Sequence, residues 1–146
     1  MSDEKRDETS GGQVEQEKPH VRVVAAEIEK DGCFLITQRN PYAVLPLLWE
    51  FPGGKVEFGE SDVRALAREL FEGVGVHIKV GDLALAVCHE YDRYTLDLLV
   101  YKAYIIEGEP TCKGVNDVRW VKPCDLGDYE FPGADQQTVD ALLSDC

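Results

Sequence analysis

From residue 20 on, apolar and polar residues follow an extended pattern interrupted by loops to about residue 60, change to a helical period for one stretch, return to extended patterning and end in a second helix. VRVVAAEIE (21–29) is β-branched and partly alternating, CFLITQR (33–39) resembles it, and Lys30-Asp31-Gly32 between them is a turn, so the two predict a hairpin. NPYAVLPLL (40–48) holds two prolines and reads as a loop. WEFPGGKVEFG (49–59) reads as a short strand, a Pro-Gly-Gly turn and another extended piece. Val63, Leu66, Ala67, Leu70, Phe71 and Val74 then recur at the spacing of one helix face. Glu60, Ser61 and Asp62 put acceptors and negative charge at the start of that helix. Gly73 and Gly75 mark its end, and their closeness predicts a last turn that frays. Two long strands (82–92 and 94–106), a short one (117–121) and a helix from about Ala134 to Leu143 follow.

This order, ββ, β, α, βββ, α without a repeat, predicts an α/β domain: a mixed sheet with helices packed on its faces. Residues 20–146 form that single domain, and the polar segment 1–19 is predicted to be a disordered tail.

Composition narrows the function. No apolar run approaches the ~20 residues of a membrane span, and the start lacks the apolar core of a secretory signal. The five cysteines are scattered without a CxxC pair, which predicts a reducing, cytoplasmic setting and argues against a disulfide framework or zinc knuckle. The net charge of −13 repels polyphosphate backbones, so nucleic-acid polymers are poor partners. A nucleotide remains a good one where divalent cations bridge carboxylates to phosphates.

The face of the first helix opposite the apolar stripe carries Arg68, Glu69 and Glu72. Residues three apart are neighbours on a helix surface, so Glu69 and Glu72 project together as hard oxygen donors of the kind Mg²⁺ or Mn²⁺ takes. Upstream, Gly53 and Gly54 allow the backbone itself to approach a metal or phosphate.

Gly54, five residues, Glu60, seven residues, then RELFEGVGV (68–76) resembles the Nudix box, the signature of the Nudix hydrolases, at eight of nine specified positions. WEFPGGKVEFGE (49–60), EGEP (107–110), VRWV (118–121) and YEFPGAD (129–135) are similar to segments of the MutT-like branch. The resemblance implies a Nudix-type α/β/α sandwich around a mixed sheet, and water attack on a bridging phosphorus of a nucleoside diphosphate derivative. A nucleoside triphosphate would release nucleoside monophosphate and pyrophosphate. By the same resemblance, Glu69, Glu72 and a carbonyl of Gly53 or Gly54 hold the metal, Glu60 and Arg68 complete the catalytic set by tying loop to helix, and Arg39 holds substrate phosphate. Asp135 lies where that branch reads the base edge, with Tyr91, Tyr94 and Phe131 as stacking candidates.

The match breaks at Gly73, where the box asks for a glutamate that ligates metal. A second acid of the MutT-like branch, six residues before the late tryptophan, falls on Gly114, with Asp117 a partial replacement. Two readings stay open: an Mg²⁺-dependent nucleoside triphosphate pyrophosphohydrolase of reduced turnover, or a degenerate Nudix domain that binds a nucleotide or protein partner without hydrolysis. The candidate bases are damaged purines, modified pyrimidines and ordinary cytosine.

Overall fold

Alternation along the strands sorts the apolar side chains into two cores. In β1 (His20–Glu27), Val24 and Ala26 face one core and Ala25 the other; in β3 (Cys33–Gln38), Leu35 faces the first while Phe34 and Ile36 face the second. The first core is closed by α1 (Asp62–Val74) through Ala65, Leu66, Leu70 and Val74, and the second by α2 (Gln136–Leu143) through Val139 and Leu142. The result is an α/β sandwich, seen here in a computed structural model that describes residues 18–146. Nearly all of the tail predicted for 1–19 lies outside the described residues.

The sheet is divided in two. A mixed sheet runs β5-β1-β7-β6, formed with β5 (Gly53–Lys55), β6 (His77–Glu90) and β7 (Thr95–Glu107); β1 pairs parallel with β7 and antiparallel with β5. The second sheet is antiparallel and centred on β3, which pairs with β2 (Glu29–Lys30), β4 (Trp49–Glu50) and β8 (Asp117–Val121). The predicted 21–39 hairpin is therefore only its tip. Residues 29–30 pair with β3, but the chain leaves that ladder at buried Ile28, and β1 joins the other sheet. A pattern of alternation fixes which side chains face a core; it does not choose the partner strand.

Helix α1 begins as predicted, with Ser61 Oγ accepting from the Arg64 N–H at 3.2 Å. Its end corrects the sequence reading. The helix runs through Gly73 to Val74, and Gly75 alone, at φ 76°, caps it by donating to Phe71 O. Nor does the last turn fray: Gly73 O accepts from Gly114 N–H at 2.8 Å, and Val74 O from Thr111 N–H at 2.9 Å. The buried stripe is rotated from the predicted one. Ala65 is buried, whereas Val63 and Phe71 are exposed, the latter flanked by the His77 ring and by Lys113 Nζ, 3.6 Å from its centroid.

One expectation about the cysteines is also corrected. Cys124 and Cys146 are joined in a disulfide with Cα atoms 5.2 Å apart, because α2 folds back along the 3-10 turn Pro123–Asp128. A spacing of 22 residues with no local motif gives no sequence signal for such a pair. The bridge closes a loop that contains the whole segment bearing Asp135. By loop entropy it stabilises the fold by about 3 kcal/mol. Reduction is expected to lower the thermal midpoint by several degrees, and Cys146→Ala to remove the difference between oxidised and reduced samples; calorimetry with and without a thiol checks both.

Candidate active site

Arg68 is the hub that joins α1 to the bend before it. Its guanidinium grips Glu60 with two bonds (Nε to Oε2 2.7 Å, Nη2 to Oε1 2.9 Å) and donates to Lys55 O at 3.0 Å. These bonds hold the Glu60 carboxyl down at about 2. Glu60 Oε1 also accepts from Glu57 N–H at 3.0 Å, which closes the turn leading into the helix. The remaining nitrogen, Nη1, lies 3.0 Å from Glu69 Oε2 and 3.2 Å from Glu72 Oε1. Arg68 thus pairs with Glu72 and holds the preceding loop at the same time.

Glu69 is half-buried, and desolvation raises its pKa against the pull of Arg68, so its carboxylate is short of water and suited to a cation. It lies in the space that a Cβ on Gly54 would occupy, and this is the close approach for which the second glycine is needed. Gly53 is equally constrained, because a Cβ there would run into the β1 backbone at Val24 and Ala25.

A cleft of about 680 Å³ extends from this corner. Glu69, Glu72, Gly53, Gly54 and Gly73 line it, and so do Arg39, Glu50, Tyr91, Tyr94 and Asp135. Arg39 donates to Glu50 Oε1 at 2.8 Å and to Val44 O at 2.7 Å. Asp135 is 7% exposed. Burial first, and the charge of Glu50 second, push its carboxyl up to about 8 despite the nearby Arg39. The Glu50 carboxyl is raised by burial as well. Tyr91 Oη accepts from Ala134 N–H at 3.1 Å and so anchors the turn that presents Asp135. The Tyr91 and Tyr94 rings stand 5.0 Å apart beside it.

Of the residues singled out in the sequence, Glu69, Glu72, Gly53, Gly54, Arg39, Tyr91 and Asp135 meet in this one cleft, with Glu60 and Arg68 behind its wall. Phe131 does not line it; its ring stacks on Phe51 at 5.5 Å and packs against the second core. Asp117 does not substitute for the acid missing at Gly114. Its carboxylate turns to its own strand, accepting from Val118 N–H at 2.8 Å and facing Arg119 at 3.0 Å. Glu50 was missed. It sits between Trp49 and Phe51 on a two-residue strand, opposite Thr37 in the ladder, and a charge enclosed by two large apolar residues is its only sequence signal.

A family model, the NUDIX domain, matches residues 23–141. The CTP pyrophosphohydrolase of Escherichia coli (strain K12) is 32% identical over 124 residues, covering 85% of this chain and 92% of that one. The 8-oxo-dGTP diphosphatase of Haemophilus influenzae is 30% identical over 130 residues, covering 88% and 96%. Among solved structures, the MutT protein from Methanosarcina mazei Go1 superposes with a TM-score of 0.77 at 26% identity, over 90% of this chain and 98% of that one. The chain belongs to the Nudix family and is an enzyme of its MutT-like kind.

Proposed function

We propose that the chain hydrolyses a nucleoside triphosphate to the monophosphate and pyrophosphate with Mg²⁺ or Mn²⁺, through Glu69 and Glu72. One observation carries the reading: a single cleft is lined both by the hard-oxygen donors Glu69 and Glu72 and by the polar and aromatic side chains of Arg39, Tyr91, Tyr94 and Asp135. Its volume of about 680 Å³ suits a small-molecule ligand. The donor set fits a magnesium-like ion, since Glu69, Glu72 and a carbonyl of the Gly53-Gly54 bend offer only oxygen, and such ions take one or two carboxylates and complete their shell with water and phosphate. When bound, a divalent cation neutralises phosphate charge and acidifies the attacking water.

The chain's own groups supply the rest. Arg68 fixes Glu69 and Glu72 in orientation and ties α1 to the bend through Glu60 and Lys55. Arg39, held by Glu50 and Val44, offers its remaining N–H groups to a phosphate. Asp135, protonated below about 8, both donates and accepts toward a base edge, a pairing that suits cytosine and oxidised purines alike. Tyr91 and Tyr94 offer faces for stacking. The names of the relatives span the same two base classes. No described helix is long and apolar enough to cross a membrane. A cytoplasmic location belongs to the same proposal, and there the thiol poise sets whether Cys124 and Cys146 are joined.

The test is a panel of ordinary and oxidised nucleoside triphosphates assayed for pyrophosphate. Glu69→Gln is expected to lower turnover by about 10²-fold, the scale of one lost charge-stabilising contact. No pyrophosphate from any member, with nucleotide binding indifferent to metal, would instead make this a degenerate binding domain.

A further inference from the structure

We infer that this chain takes up its divalent cation together with the nucleotide and does not hold one beforehand. The inference rests on the hydrolase reading above and adds an order to it.

Three features of the metal-facing corner carry it. Gly73 lies on the cleft wall within α1, and a Cβ there would meet nothing nearer than Val115 Cγ1, at 3.8 Å. A carboxylate is therefore absent from a place with room for one, and the glycine's own carbonyl is taken by Gly114 N–H. Gly114, at the position of the second missing acid, is pressed against the helix end. A Cβ there would stand 2.8 Å from Glu72 O, so backbone fills the space from which a further side chain would reach in. Finally, the two carboxylates that remain already share a cation, since Arg68 Nη1 bonds both Glu69 and Glu72. Among the described residues, no group of three or more His, Cys, Asp or Glu side chains is placed to hold a metal.

Magnesium gives up its water reluctantly and asks for near-octahedral oxygen. Two carboxylates engaged by a guanidinium do not offer enough of that shell to displace the water. A triphosphate brings its own oxygens already on the metal, and the protein then adds the last one or two ligands.

The experiment is a calorimetric titration of Mn²⁺ alone into the free protein. It is paired with titration of α,β-methylene-CTP and α,β-methylene-dGTP with Mn²⁺ or with EDTA. The expected result is no Mn²⁺ binding tighter than ~1 mM without nucleotide, and analogue affinity raised at least about tenfold by Mn²⁺. Gly73→Glu is expected to confer Mn²⁺ binding on the free protein. Submillimolar Mn²⁺ binding by free wild type that Glu69→Gln removes would overturn the inference and leave the hydrolase reading intact. Analogue binding equally tight in EDTA would instead overturn the hydrolase reading. The wild-type titrations decide both points even where Gly73→Glu fails to fold.

Discussion

Gly73→Glu is expected to raise pyrophosphate release by about 10²- to 10³-fold, the scale of one restored charge-stabilising contact. The position favours the substitution on every structural count. Gly73 is helical, its φ is not in the left-handed region, and its Cβ direction is open. Stability is expected to change little, because opposing effects are similar in size. Replacing a helical glycine contributes about 1 kcal/mol. A new glutamate four residues after Glu69 repels it by roughly 0.2–0.5 kcal/mol, and a negative charge near a helix C-terminus is disfavoured by about as much. A rise in turnover without a rise in thermal midpoint thus separates a restored ligand from a merely stiffer helix. Gly114→Glu is not expected to add to the gain. Its Cβ would crowd Glu72 O, pushing the loop off the helix end and weakening the caps that Gly114 and Thr111 supply. Steady-state assays of the two single variants and the double variant check this. An unchanged rate in a folded Gly73→Glu protein would mean that the glycine is not the site of a lost ligand.

The box was legible because its parts are local. Ser61, Arg68, Glu69, Glu72 and Gly75 owe their roles to helical spacing and capping, which a sequence carries directly. The strand segments were legible for the same reason, as alternation. What escaped depended on contacts between distant parts of the chain. The pairing of β1 with β7 rather than β3 joins residues about 75 apart, and nothing in either segment names its partner. Phe131 reads in the sequence as a stacking surface because an aromatic in a loop looks the same whether Phe51 or a base lies beneath it. Glu50 is hard to read from its own segment because its meaning comes from Arg39, Thr37 and Asp135, which reach it from other elements. Gly73 stands out in the sequence as a departure from the box, but only the structure separates a helix stop from an open position on the cleft wall.

Asp135→Asn is expected to change the pH dependence of the fold and of nucleotide binding together. The Asp135 carboxyl titrates near 8 in the folded chain against an ordinary value of 3.8. Between those values the native state binds a proton that the unfolded chain has released, so stability falls as pH rises, by up to about 1.4 kcal/mol per unit. Below about 4 both states are protonated and the slope vanishes; above about 8 both are ionised and the full penalty, on the order of 5 kcal/mol, is present. Glu50 is raised by burial too, so the slope belongs to the pair and is shared with it. An asparagine keeps the shape and hydrogen-bonding capacity and carries no titration. The thermal midpoints of the two proteins are therefore expected to lie close together at pH 5 and to separate by several degrees by pH 8.5, with the variant the more stable. Wild-type binding of a base that needs the carboxyl O–H is expected to weaken over the same interval, while the variant's binding, with only Glu50 left to titrate, changes less. Thermal unfolding and analogue binding measured from pH 5 to 9 check both. Parallel curves for the two proteins would place the pocket's proton on another group, since an ionised Asp135 at pH 5 offers no donor to a base and no reason for the variant to gain stability as the pH rises.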